Sequence, residues 1–385
     1  MIKKVSFLVV ITLVLMIFNS MAFAGIENLE NDSLYISSTE IPSDVINYAQ
    51  ENFHHLITSV KNDLDFHKFS KVEIDKFMLG TPFNIYNYHD QSLEKSNVYY
   101  FPVLCNNKIK ALLAVALIEE NQYVANFSKY YAENLEKLKL KSSKQKPFRI
   151  VDIGKNIVAI NDDYYEILES PKHSKVDIDG KDLEDIRKKI KLRKNSEDIF
   201  DLIKKITTTN TSNISYRSAG ISNYLGVEPV LQGNHPWCGA ACVAAIINYK
   251  TNESLTAEDV TIEVHGSAID EGITNSEAKT VFEDYGLSAT ITSPLSFSQV
   301  VTEIDDDDPI FMQMQTQIPD GTKDYHALVL RGYYRLYYHP YPMTYSVINP
   351  WYDSYVTITA NSNGSNVTYI TGSRTYTWYK TIKGF

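Results

Sequence analysis

Cys238 stands at the start of an alanine-rich, helix-forming run, Cys238 to Tyr249, that follows Pro236. A helix N-terminus carries partial positive charge, which favours a thiolate there. A sulfur nucleophile also needs a base for its proton and donors for the oxyanion it creates on a carbonyl. Gln232, six residues upstream across Gly233 and Pro236, is placed to bend its side-chain amide toward the same point and join the Cys238 N–H as an oxyanion donor. His326 opens the apolar run Ala327 to Leu330, and Asn349 closes the run Tyr345 to Ile348. If these runs are adjacent antiparallel strands, the Asn349 oxygen accepts from the imidazole and fixes its tautomer. Of the other histidines considered as base, His235 lies in the loop leading to Cys238, His265 beside Gly266, and His339 in a Pro-flanked turn.

The elements that must position these residues follow from composition and pattern. Residues 211–385 carry 9 Lys/Arg against 18 Asp/Glu and hold 16 of the 27 tyrosines, so they account for −9 of the net −10. Residues 25–210 are Lys-rich and nearly neutral. Between them Thr207 to Ser212 and Asn213 form a small polar run, a linker near 207–215 that cannot bury a face. The first half reads as a mixed α/β unit: a helix Pro42 to Leu56, strands at 98–104, 109–117, 123–127, 148–153 and 156–160, then one long helix from Leu183 to Ile206. The second half reads as α+β, with helices Cys238 to Tyr249 and Ser276 to Tyr285 followed by six strands between Ile310 and Tyr379.

Compartment and partners are bounded as well. A basic Met1 to Lys4, an apolar Val5 to Phe18 and Ala22-Phe23-Ala24 before Gly25 make residues 1–24 a cleaved signal peptide, which predicts a secreted protein without stable membrane association. Three cysteines are too few for a disulfide framework in an exported chain, and no Cys/His pairs have zinc spacing, so neither metal nor cofactor is expected. Asp305 to Asp308 lack the alternating carboxylates and glycine turn of a calcium loop and read as a solvated acidic turn. The acidic balance argues against nucleic acid.

The string Gln232-Gly233-Asn234-His235-Pro236-Trp237-Cys238, with His326 before an apolar strand and Asn349-Pro350-Trp351, resembles the papain-like cysteine peptidases, most closely the secreted bacterial staphopain type. The run Tyr376 to Phe385 adds to that likeness, and Cys238-Gly239-Ala240-Ala241-Cys242 resembles the bacteriocin-leader, C39-like peptidases of the same superfamily. The resemblance implies a two-lobed catalytic domain, a central helix plus an antiparallel sheet. It makes Cys238 the nucleophile, His326 the general base and then acid, Asn349 the orienter, Gln232 the oxyanion-hole donor, and Trp351 a shield over the Asn349 to His326 hydrogen bond. Cys238 to His326 and Cys238 to Asn349 span 88 and 111 residues, shorter than the roughly 130 to 150 of the plant and lysosomal enzymes. A trimmed, disulfide-free domain is implied, with Cys242 as packing.

The expectation is therefore a secreted zymogen: signal peptide 1–24, an inhibitory or chaperone propeptide domain 25–210, and a cysteine endopeptidase 211–385 acting on protein and peptide substrates. Its partners would be its own propeptide and a dedicated protein inhibitor. Two other readings stay open, a cysteine acyl-transfer enzyme of another kind, such as a cell-wall amidase or transglutaminase-like enzyme, and a catalytically silent papain-like binding module.

Overall fold

The computed structural model describes residues 33–120, 122–154, 156–169, 178–193, 196–206, 220–317, 321–337, 343–360, 364 and 367–385. The expected signal peptide, the expected linker and His339 lie outside those residues.

The second half is built around the helix Cys238–Thr251, whose residues Gly239 to Ile247 are all buried. A helix apolar on every side belongs in a core, and its small residues let neighbouring backbone come close. A Cβ on Gly239 would stand 2.9 Å from the Ile273 side chain. Two shorter helices, Ala257–His265 and Asn275–Asp284, pack against it and a third, Phe297–Asp305, packs on the strands, each opened by a capping box: Thr256 with Asp259, Thr274 with Glu277, and Ser296 with Gln299. Each box satisfies two of the backbone N–H groups that a helix start leaves unpaired. The helices Ala257–His265 and Phe297–Asp305 are additions to the two expected from periodicity. Both are short, half-exposed elements whose apolar faces are only a few residues wide.

The strands of this half are antiparallel: Lys323–Leu336 lies between Ile310–Gln317 and Met343–Ile348, and Tyr355–Ala360 follows on the far side. The mixed helix and antiparallel sheet agrees with the expected α+β class.

The first half departs from expectation in two places. The helix expected over Leu183 to Ile206 spans Gly180–Arg193, and Asp198–Asp201 is instead a strand paired antiparallel with Tyr35–Ser38. Leu183, Ile186 and Ile190 pack one helical face, whereas Ile199 lies in a strand opposite Ser37, and the Ile206 N–H donates to the Leu79 carbonyl. The pairing in this half is also mostly antiparallel; among the described strands Phe83–His89 and Arg149–Asp152 form the one parallel pair.

The two halves share one 16-stranded sheet. Tyr355–Ala360 pairs with Gln122–Ser128 at Thr357↔Phe127 and Ile358↔Asn126. Thr359 Oγ1 accepts from the Ala125 N–H at 2.8 Å, and Asn126 Nδ2 donates to the Ile370 carbonyl at 3.1 Å. Tyr100 donates to the Gly372 carbonyl, and Asp152 accepts from both the N–H and the hydroxyl of Ser373. Gly372 has φ +54°, and a Cβ there would stand 2.5 Å from the Asp152 carboxylate, so this contact requires glycine. A buried ion pair between Asp63 and Arg331 completes the joint.

Candidate active site

Cys238 sits half-buried at the first position of its helix, with Trp237 as the residue before it. The approach loop is held in place by several contacts. The His235 ring stacks on Trp237 at 4.0 Å and bonds Asp270, and Trp237 Nε1 donates to the Ile269 carbonyl at 2.8 Å. These contacts commit His235 to the loop rather than to the thiol. His265 ends the helix Ala257–His265.

His326 lies in the strand Lys323–Leu336, and Asn349 directly follows the adjacent antiparallel strand Met343–Ile348, with Val329 opposite Ile348. The pairing brings the two side chains together as expected: His326 Nε2 and Asn349 Oδ1 are 2.9 Å apart and both residues are buried. The Asn349 amide is fixed from both ends. Its Oδ1 also accepts from the Trp351 N–H at 3.1 Å, and its Nδ2 donates to the Tyr369 hydroxyl at 2.5 Å. An oxygen that already faces an N–H can only accept, so His326 carries its proton on Nε2 and Nδ1 is the basic nitrogen.

Gln232 is buried, and its Nε2 donates to the His235 carbonyl at 2.8 Å. Reversing the amide would set two oxygens against each other, so this orientation is determined, and the second N–H of the same nitrogen stays available. The Gln232 backbone N–H donates to the Pro350 carbonyl at 2.9 Å, which ties the loop before the nucleophile to the turn after Asn349. Gln232, Cys238, His326 and Trp351 line one cleft of about 580 Å³, and Asp152 and Glu169 from the first half line it too.

Sequence reasoning missed the tyrosines. The rings flanking His326 are those of Tyr369 at 6.1 Å and Tyr376 at 6.0 Å, while Trp351 contributes its backbone N–H to Asn349. Tyr376 donates to Asp324 at 2.6 Å, two residues before the histidine. In a chain with 27 tyrosines neither stands out; the available signal was that both fall on inward positions of the last two strands. The acidic turn is also accounted for: Asp305 accepts from Asn223 and Tyr333, Asp307 from Tyr249, and Asp308 pairs with Lys250.

Burial pushes the Cys238 thiol above its ordinary value, against the pull of the Ala327, Gly239 and Cys238 backbone N–H groups. Burial pushes His326 down to about 4, opposed by the Asn349 hydrogen bond and the Asp324 charge. Both directions favour neutral thiol and neutral imidazole, against the thiolate that a helix start favours. If His326 acts as the base, activity requires its neutral form and is lost as pH falls through about 4. The expected profile of kcat/KM against pH thus stays flat well below neutrality; an acid limb near the ordinary histidine range would contradict it.

Residues 224–370 match the Peptidase_C39 like family. The matched segment is under two fifths of the chain and contains Gln232, Cys238, His326, Asn349 and Tyr369, but none of the first half. It agrees with a cysteine peptidase of the papain-like superfamily and with the C39-like side of the resemblance; it does not show the staphopain type. A solved Bacillus anthracis protein, provisionally assigned as a C39-like peptidase, is 11% identical and covers 37% of this chain and 99% of its own, with a TM-score of 0.27, too low to carry an argument. No curated protein matches.

Proposed function

We propose that this chain is a secreted cysteine peptidase that hydrolyses peptide bonds through Cys238, His326 and Asn349, with Gln232 and the Cys238 N–H as oxyanion donors, on a papain-like catalytic half. The observation that carries this reading is the buried His326 to Asn349 hydrogen bond, which leaves Nδ1 as the base in the same cleft as Cys238 at its helix start. His326 takes the thiol proton as sulfur attacks the carbonyl, and then gives it to the leaving amine. A water activated by the same imidazole releases the acyl group. The discriminating experiment offers the protein, lacking residues 1–24, casein and peptidoglycan. Cleavage of casein supports the reading, and cleavage of peptidoglycan alone replaces it with the cell-wall amidase.

The zymogen part of the proposal takes a specific form. The first half contributes Asp152, Gly154, Ile157 and Glu169 to the cleft lining, which supports a role in controlling access. It is also joined to the second half by a shared sheet and buried hydrogen bonds, which supports a role in folding. A cut within 207–219 is therefore expected to leave the halves associated. After limited proteolysis the two fragments should co-elute from a sizing column without denaturant; separate elution would overturn the attachment.

A further inference from the structure

We propose that Tyr130, contributed by the first half, is a positioning residue for the Cys238, His326 and Asn349 site and acts through Tyr369. The inference rests on the peptidase reading and adds to it that the site is incomplete without the first half.

A run of short, buried contacts carries it. The hydroxyls of Tyr130 and Tyr369 are 2.8 Å apart, Tyr130 Oη is 2.5 Å from the Ile370 carbonyl oxygen, and Asn349 Nδ2 is 2.5 Å from Tyr369 Oη. Tyr130 is the donor in both of its contacts, its one proton shared between the Tyr369 oxygen and the Ile370 carbonyl. Tyr369 Oη thus accepts from Tyr130 on one side and from Asn349 Nδ2 on the other. Tyr130 therefore holds the Tyr369 oxygen as an acceptor facing the Asn349 amide. That acceptor holds the amide with its nitrogen toward Tyr369 and its oxygen toward His326 Nε2, the orientation that keeps Nδ1 basic.

Two further features place Tyr130 for this task. Its φ of +28° lies where side-chain-bearing residues are rarely found, so the surrounding structure over-determines it. Its ring meets Tyr352 edge-on at 5.6 Å, and the Tyr352 N–H bonds the Asn349 carbonyl, so the same residue braces both side chain and backbone of the turn. Burial raises both tyrosine hydroxyls, which keeps them protonated as the relay needs. The charged groups acting here are Asp324 on His326 and Glu169 on both tyrosines.

The experiment compares the full chain with Tyr130→Phe, Tyr369→Phe and the double variant. It reads kcat and KM on a peptide substrate, the pH dependence of Cys238 alkylation by iodoacetamide, followed by mass spectrometry, and the unfolding midpoint. Loss of the Tyr130 hydroxyl is expected to lower kcat about tenfold with KM little changed, since Tyr369 then loses the donor that holds its oxygen toward the orienting amide. The alkylation profile should shift in both single variants. The double variant should be no worse than Tyr369→Phe, because the two hydroxyls act in series. Unchanged kcat and an unchanged alkylation profile in Tyr130→Phe, or strictly additive effects, overturn the positioning role. If the unsubstituted protein cleaves no peptide yet the profile still shifts, the peptidase reading fails and the relay stands.

Discussion

Cys238→Ala is expected to lower kcat/KM for peptide hydrolysis by about a millionfold, to the level that binding and the oxyanion donors supply alone. The size follows from what the sulfur does in the proposed mechanism: every covalent step passes through it, and no other cysteine is placed to replace it. Cys105 lies in the first half, and Cys242 is buried one turn further along the helix, away from the cleft opening. The substitution should leave folding nearly intact, because alanine suits a helix and the site is already packed by small residues. His326→Ala should cost about as much, and the double variant little more, since the two act as a unit. An epoxide-type cysteine-peptidase inhibitor should label the unsubstituted protein at Cys238 and leave the alanine variant unlabelled. Activity of Cys238→Ala within tenfold of the parent would remove the nucleophile from the mechanism and leave the binding-module reading in its place.

The parts of the site that were legible in the chain are those whose chemistry depends on residue type at a local boundary. Cys238 announces itself by a helix start, and His326 and Asn349 by the ends of apolar runs. Their meeting required only that two consecutive strands pair, which is the commonest arrangement for neighbours in sequence. Tyr369 and Tyr130 were not legible for a different reason. Each does its work through a hydroxyl whose partner lies on another element, and the Tyr130 to Tyr369 contact spans 239 residues. No periodicity reports such a contact. The same limit explains the misplaced helix end: Asp198–Asp201 is a strand because Tyr35–Ser38 offers it hydrogen-bond partners, a fact of tertiary pairing rather than of local propensity. The expected boundary near residue 210 follows a true change in charge and composition, yet the sheet crosses between the halves, because strand pairing is indifferent to the polarity of the exposed faces.

Asp63→Ala is expected to destabilise the full chain by roughly 3–5 kcal/mol. Arg331 is fully buried in the second half, and its guanidinium reaches both carboxylate oxygens of Asp63 at 2.6 Å while Nη1 donates to the Leu225 carbonyl at 2.9 Å. The guanidinium also lies over the Phe66 and Tyr355 rings at 4.1 and 4.3 Å, and Ser346 donates to the same carboxylate. Burial pushes Asp63 up to about 6 and Arg331 down from its ordinary value, each opposed by its partner. Desolvation is thus the larger effect on both groups, so the pair adds little net stability while each member depends on the other. Removing only the carboxylate leaves a cation with no counter-charge at the joint between the halves. Replacing both, as Asp63→Leu with Arg331→Met, removes charge and desolvation cost together and should recover most of the loss. Urea unfolding of the three proteins measures this directly. A single-variant loss under about 1 kcal/mol would mean that water reaches the guanidinium, and the joint would then be held by its sheet and tyrosine contacts instead.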